Sequence, residues 1–156
     1  METVRLTPAY DAAIAKIIRD NLRAYGLDIP GTAYYDEGLD RLSEYYSAPG
    51  RAYFVLLDGG DVLGGVGLAG IGVFPDCAEL QKLYLADRAK GRGLGSRLLT
   101  LFEREAAKLG YRRAYLETHT NLSAALRLYE KHGYTEIARP ASVVHGTMNK
   151  FYFKEL

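Results

Sequence analysis

Apolar residues recur along this chain with two periods, and the switches between them mark its elements. Residues 4–6 suit a short strand, and Thr7-Pro8 then reads as the cap and first residue of a helix. Ile14, Ile17, Ile18 and Leu22 keep helical spacing on one face as far as Tyr25-Gly26. GLDIPGT (26–32) is a loop, and Leu39, Leu42, Tyr45 and Tyr46 predict a second helix closed by Pro49-Gly50. The continuous run AYFVLL (52–57) reads as a buried strand, Asp58-Gly59-Gly60-Asp61 as a hairpin turn, and 62–73 as the returning strand. The glycine density of that strand predicts bulges or a close neighbour of its backbone. A strand over 79–85 follows, then the strongest helix, 93–109. Leu94, Leu98, Leu101, Phe102, Ala106 and Leu109 lie on one face of it, with Arg97, Arg104 and Lys108 opposite, and Gly110 ends it. A strand over 112–118, a helix over 123–132 stopped by Gly133, and a hairpin from 134–137 and 148–153 complete the pattern. Antiparallel strands followed by strand–helix–strand–helix predict a mixed α+β sheet in a single domain over 1–156.

Composition narrows the partners. A net charge of +1 gives no global field for nucleic acid or an anionic membrane, so neither is expected. The local excess at Arg88, Lys90, Arg92 and Arg97 suits a small anionic ligand. The uncharged run 62–74 is short of the ~20 apolar residues that span a bilayer. METVRLTPAYDAAI has no signal-peptide pattern. The single cysteine, Cys77, excludes an intramolecular disulfide and fits a reducing cytoplasm, where we expect the protein.

The segment KGRGLGSRLL (90–99) carries the chemistry. Glycine in the first turn of a helix costs ~1 kcal/mol per residue against alanine, so three there call for a reason. A helix N-terminus leaves amide N–H groups unpaired at the positive end of the dipole, and bare backbone admits a phosphate to them. Lys90 and Arg92 add charge. A dinucleotide fold is the rival, since Gly91-x-Gly93-x-x-Ser96 nearly fits its fingerprint and Glu117 ends the next strand where a ribose-binding acid belongs. Against it stand five residues between Leu85 and the first glycine, the late position in the chain, and the preceding hairpin. No Gly-Lys-Ser/Thr closes the turn, which excludes a Walker A loop.

Lys90-Gly91-Arg92-Gly93-Leu94-Gly95 resembles the [Gln/Arg]-x-x-Gly-x-[Gly/Ala] signature of the GNAT superfamily of acetyl-CoA-dependent N-acyltransferases, with Lys90 in place of its first residue. The strand before it is similar to the family's fourth strand. LETHTNLSAALRLYEKHGY (116–134) resembles the next motif, with Asn121, Tyr129 and the Tyr-Glu-Lys-x-x-Gly-Tyr ending in place. The resemblance covers 79–134 in the family's order and spacing. It implies a mostly antiparallel, twisted sheet flanked by about four helices and splayed between its fourth and fifth strands, with acetyl-CoA in the opening. The backbone of Leu83, Tyr84 and Leu85 would then pair with pantetheine amides. Lys90 and the amides of Gly91, Arg92, Gly93, Leu94, Gly95 and Ser96 would hold the pyrophosphate, and Asn121 and Ser123 would line the far wall.

Acyl transfer from a thioester to an amine needs a base for the amine proton, a donor for the oxyanion and an acid for the leaving thiolate. The resemblance implies Glu79 as the base, directly or through water, Tyr129 as the acid, and an oxyanion donor near Leu83 or Tyr84 at a family bulge. The alternative for Glu79 is a strand-end carboxylate paired with Lys82, and for Tyr129 an inward core aromatic. The resemblance implies that the segment after the first helix roofs the acceptor pocket, which makes Tyr34, Tyr35, Tyr45 and Tyr46 candidate substrate contacts; the alternative for Tyr45 and Tyr46 is packing of the second helix, expected for Tyr45. His145, in the last loop, is a further candidate. Cys77 is expected to be a small, half-buried strand residue. His119, His132 and His145 lack metal-ligand spacing, so no metal is expected; His132 suits the negative end of its helix. The expected acceptor is a primary amine of a small molecule or peptide, with an acyl-CoA-binding module without catalysis as the alternative. The C-terminal MNKFYFKEL either pairs with a second copy, making a homodimer, or completes its own sheet.

Overall fold

The computed structural model describes residues 1–143 and 146–156. Its strands are β1 (Glu2–Arg5), β2 (Ala52–Asp58), β3 (Asp61–Ile71), β4 (Cys77–Leu85), β5 (Arg113–Thr118), β6 (Thr135–Ile137) and β7 (Lys150–Glu155). They form one sheet in the order β1-β2-β3-β4-β5-β7-β6, antiparallel except for the β4–β5 pair. The helices are α1 (Pro8–Ala24), α2 (Leu42–Tyr45), α3 (Leu94–Lys108) and α4 (Ser123–Lys131). The expected mixed sheet with four helices is the observed fold.

Two cores lie on opposite faces of the sheet. Leu98, Leu101, Phe102 and Ala106 of α3 and Tyr129 of α4 pack on Leu68, Leu80, Ala114 and Leu116. On the other face, Ile14, Ile18 and Leu22 of α1 pack with Leu39, Leu42 and Tyr46 on Tyr53 and Val55. A third cluster on Cys77, Tyr115 and Phe151 extends that second face beyond β4. Between the second and third clusters runs a polar seam, described below.

Three expectations needed correction. The second helix is one 3-10 turn, Leu39–Arg41, followed by the single α turn of α2. It is anchored to α1: Asp11 accepts hydrogen bonds from the Ser43 backbone N–H at 2.9 Å and from the Ser43 hydroxyl. So short an element turns only one side inward. Tyr46 is buried, whereas Tyr45 is 40% exposed beneath the Arg51 guanidinium, so Tyr46 does the packing expected of Tyr45. Cys77 is fully buried rather than half-buried, and burial pushes its thiol up to about 11. The C-terminal segment forms β7, paired on one side with β5 and on the other with β6, so it completes its own sheet. Among the described residues no helix is long and apolar enough to cross a membrane.

Candidate active site

The parallel β4–β5 pairing covers only Cys77, Ala78 and Glu79 against Arg113, Ala114 and Tyr115. Beyond Glu79 the strands part, and the gap is a cleft of about 310 Å³. Leu83, Tyr84 and Leu85 form one wall, Glu117, Thr118, Ala125, Leu128 and Tyr129 the other, and Gly91, Gly93, Gly95 and Ser96 one end.

A bulge shapes the β4 wall. Gly65 faces Tyr84 while Gly67 faces Gln81, so Lys82 and Leu83 together oppose Val66. Lys82 is left-handed, with φ 49°, a conformation non-glycine residues seldom adopt. Its carbonyl is held by the Tyr53 hydroxyl at 2.8 Å. That ring lies where a Cβ on Gly65 would overlap it, and Tyr46 likewise occupies the space a Cβ on Gly67 would fill. The glycines of β3 thus admit two tyrosines whose hydroxyls reach β4. Ala86 donates its N–H back to the Leu63 carbonyl, so strand alternation turns the polar backbone groups of Leu83 and Leu85 toward the cleft. One of these is already engaged: the Leu85 carbonyl accepts from the buried side chain of Asn21 at 2.8 Å.

At the glycine turn, Gly93 caps α3 in the left-handed region with φ 73°, and no side chain caps the helix. The first intrahelical bond runs from Arg97 N–H to the Gly93 carbonyl, so the preceding amides have no intrahelical acceptor. Gly91 is also left-handed, with φ 74°, whereas a Cβ on Gly95 would press on Leu128. The first two glycines therefore bend the chain and the third seats α4. Lys90 borders the cleft with its ammonium 2.9 Å from Asp87 and over the Tyr25 ring. The Arg92 side chain is exposed and the Leu94 side chain is in the core, so neither borders the cleft and Leu94 can offer only its amide. Ser96 is tied through its hydroxyl to His132 Nε2 at 3.0 Å. Asn121 donates to the Tyr25 carbonyl at 3.0 Å, joining the β5–α4 loop to the end of α1, and Ser123 is exposed. Both sit outside the cleft wall, where their neighbours Ala124 and Ala125 stand.

Two carboxylates flank the point where the strands separate. Glu79 belongs to the last β4–β5 pair and accepts from Gln81 Nε2 at 2.5 Å, while Lys82 leans toward Asp36 at 3.9 Å instead. Burial pushes the Glu79 carboxyl above its ordinary range, with the Glu117 charge adding to the rise and the Gln81 hydrogen bond and Lys82 opposing it. Glu117 accepts from the Tyr115 hydroxyl at 2.8 Å. Tyr129, only 4% exposed, enters the cleft from α4, and burial raises its phenol far enough to keep it protonated. Burial likewise pushes Tyr84 up to about 12.

The expected substrate contacts Tyr34 and Tyr35 fall among the described residues. The Tyr34 hydroxyl accepts from Arg23 at 3.0 Å, and Tyr35 is 61% exposed; neither borders the cleft. His145 lies outside the described residues. Sequence reasoning missed Asn21, Tyr53 and Gln81, and left Tyr46 between a substrate contact and helix packing; it is buried, with its hydroxyl on Gln81. Asn21 had a signal, a polar residue inside the apolar stripe of α1; Gln81 shares a strand face with Glu79 by period two. Among the described residues no group of His, Cys, Asp or Glu side chains is placed to hold a metal.

Residues 14–134 match the model of the acetyltransferase (GNAT) family. The chain is 40% identical over 135 residues to YjgM, an uncharacterized N-acetyltransferase of Escherichia coli, covering 85% of this chain and 81% of the relative. An acetyltransferase of the GNAT family from Staphylococcus aureus superposes with a TM-score of 0.86 at 18% identity, over 99% of this chain and 98% of the other. The PaiA N-acetyltransferase of Thermoplasma acidophilum, solved with coenzyme A, superposes with a TM-score of 0.78 at 18% identity and the same coverage.

Proposed function

This chain belongs to the acetyltransferase (GNAT) family, and from that premise we propose that it moves an acetyl group from acetyl-CoA to a primary amine of a small molecule or peptide. The whole chain acts as one catalytic domain. The observation that carries this reading is the split sheet itself, with uncapped helix amides at one end of the cleft and a raised carboxylate where the strands part.

The cleft fits the co-substrate. The amides opening α3 meet the pyrophosphate, Leu83 and the Leu85 N–H take the pantetheine amides, and the Leu85 carbonyl stays with Asn21. Glu79 accepts the proton of the acceptor ammonium, directly or through water. The freed nitrogen attacks the thioester carbonyl, forming the C–N bond, while a backbone N–H at the Lys82–Leu83 bulge steadies the oxyanion. As the C–S bond breaks, the Tyr129 hydroxyl gives its proton to the departing thiolate, and the second proton of the newly bonded nitrogen is lost through solvent, which reprotonates the phenol. Burial suits each role: it makes Glu79 a stronger base and keeps Tyr129 protonated.

The test has two stages. Acetyl-CoA at ~100 times its Kd adds about 2.7 kcal/mol of stability, or roughly 5–10 °C in Tm, whereas NADH and ATP leave Tm unchanged. Coenzyme A release is then measured over a panel of spermidine, lysine, tyramine and short peptides. Binding without release from any amine would make the protein an acyl-CoA-binding module. An NADH shift with no acetyl-CoA shift would overturn the reading entirely.

A further inference from the structure

The polar seam beside β4 contains a hydrogen-bond chain with only one consistent direction. An ionised Glu79 carboxylate accepts and cannot donate, so the group facing its Oε1 at 2.5 Å is the Gln81 amide nitrogen. Gln81 then turns its Oε1 toward α2, where the Tyr46 hydroxyl donates to it at 2.7 Å. Tyr46 has room to do so because residue 67 is glycine; a Cβ there would overlap the Tyr46 hydroxyl. The ring is wedged between Tyr45 and Tyr53 at centroid distances of 4.8 and 5.2 Å, so the donor at the head of the chain is fixed by packing.

We propose that Tyr46 and Gln81 are positioning residues for Glu79: together they pin one carboxylate oxygen, leave Oε2 for the substrate proton, and set how readily the carboxylate accepts it. The proposal deepens the reading of Glu79 as the base and rests on it. Oε1 is engaged, and among the described residues no hydrogen bond is made to Oε2. The other ionisable groups facing Glu79 bracket it from several elements. Glu117 on β5 opposes its ionisation and Lys82 on β4 favours it. The Tyr46, Cys77 and Tyr115 groups each feel the Glu79 charge and remain neutral near pH 7 because burial raises them. Gln81 is therefore the neutral group through which α2 reaches the base. A hydrogen bond to the charged form of an acid favours that form, so the chain restrains the rise that burial imposes on Glu79.

The test titrates the Glu79 side-chain carboxyl by carbon-13 NMR in the ligand-free protein, its resonance assigned by its disappearance in Glu79→Gln. Gln81→Leu removes the donor and moves the Glu79 midpoint up by about one pH unit. Tyr46→Phe keeps the ring and the packing, frees the amide to swing, and moves the midpoint up by a smaller amount. A midpoint unchanged in both variants would overturn the proposal; loss of thermal stability without that movement would mark a structural role only. The titration requires no acceptor, so it stands apart from the base assignment. If Glu79→Gln leaves turnover of a panel amine intact, that assignment fails while the NMR result still reports on the chain.

Discussion

The two ends of the cleft are built in opposite ways. At the glycine turn the groups on offer are backbone amides from one continuous stretch, Gly91 to Ser96, opening a helix of 15 residues. At the carboxylate end Glu117 borders the cleft, and beside it, where the strands part, lie side chains from segments far apart: Tyr46, Glu79 with Gln81, and Tyr115, which donates to Glu117. Backbone recognition needs only a local conformation, which glycine and a helix start suffice to make. Side-chain recognition needs a folded sheet to bring residues 35 positions apart, such as Tyr46 and Gln81, within hydrogen-bond distance.

If that division holds, substitutions at the two ends separate chemistry from co-substrate binding. Glu79→Gln is expected to lower kcat by about 100- to 1000-fold while the acetyl-CoA thermal shift stays intact. A parallel loss of that shift would erase the distinction. Tyr129→Phe should keep coenzyme A binding and lower kcat by roughly 10- to 100-fold; an unchanged kcat would remove Tyr129 from the chemistry and leave it as core. Gly93→Val forces a branched side chain into φ 73° at the α3 cap, with a strain of about 1–3 kcal/mol. It should weaken acetyl-CoA binding about tenfold and leave kcat at saturation nearly unchanged, the reverse of the Glu79 pattern.

The smallest effect sharpens the contrast through stability. The Glu79 carboxyl is raised in the folded protein, so ionisation opposes folding: its favourable contribution is complete below the unfolded value and is lost as pH rises through the folded one. Glu79→Gln should therefore have a higher Tm than the parent at pH 7 and nearly the same Tm at pH 4, read by thermal melts without ligand. A variant less stable at both pH values would mean that Glu79 is a structural hydrogen-bond partner rather than a strained base.

Most of the fold was legible because its signals are local. Helical spacing in α1 and α3, the Asp58–Asp61 turn and the caps at Gly110 and Gly133 each depend on neighbours a few residues away. The second helix was overread because its apolar spacing is real but does not fix its length, and the anchor of its α turn is Asp11, more than thirty residues upstream. The glycines of β3 announced a close neighbour without naming it; Tyr46 arrives from the residue that follows α2 and Tyr53 from β2. Tyr34 and Tyr35, chosen from the resemblance alone, are not among the residues that border the cleft.

By itself the sequence determined the order of elements, the turn that opens α3 and the carboxylate at residue 79, since each is written in residues adjacent along the chain. Only the tertiary structure decided that β4 and β5 part after three pairs, that Lys82 is held left-handed by Tyr53, and that Glu79 answers to Tyr46 through Gln81. The physical reason is range. Propensity and capping act over one or two helical turns, whereas a strand's register, a carboxylate's burial and the direction of a hydrogen-bond chain exist only once distant segments are packed together.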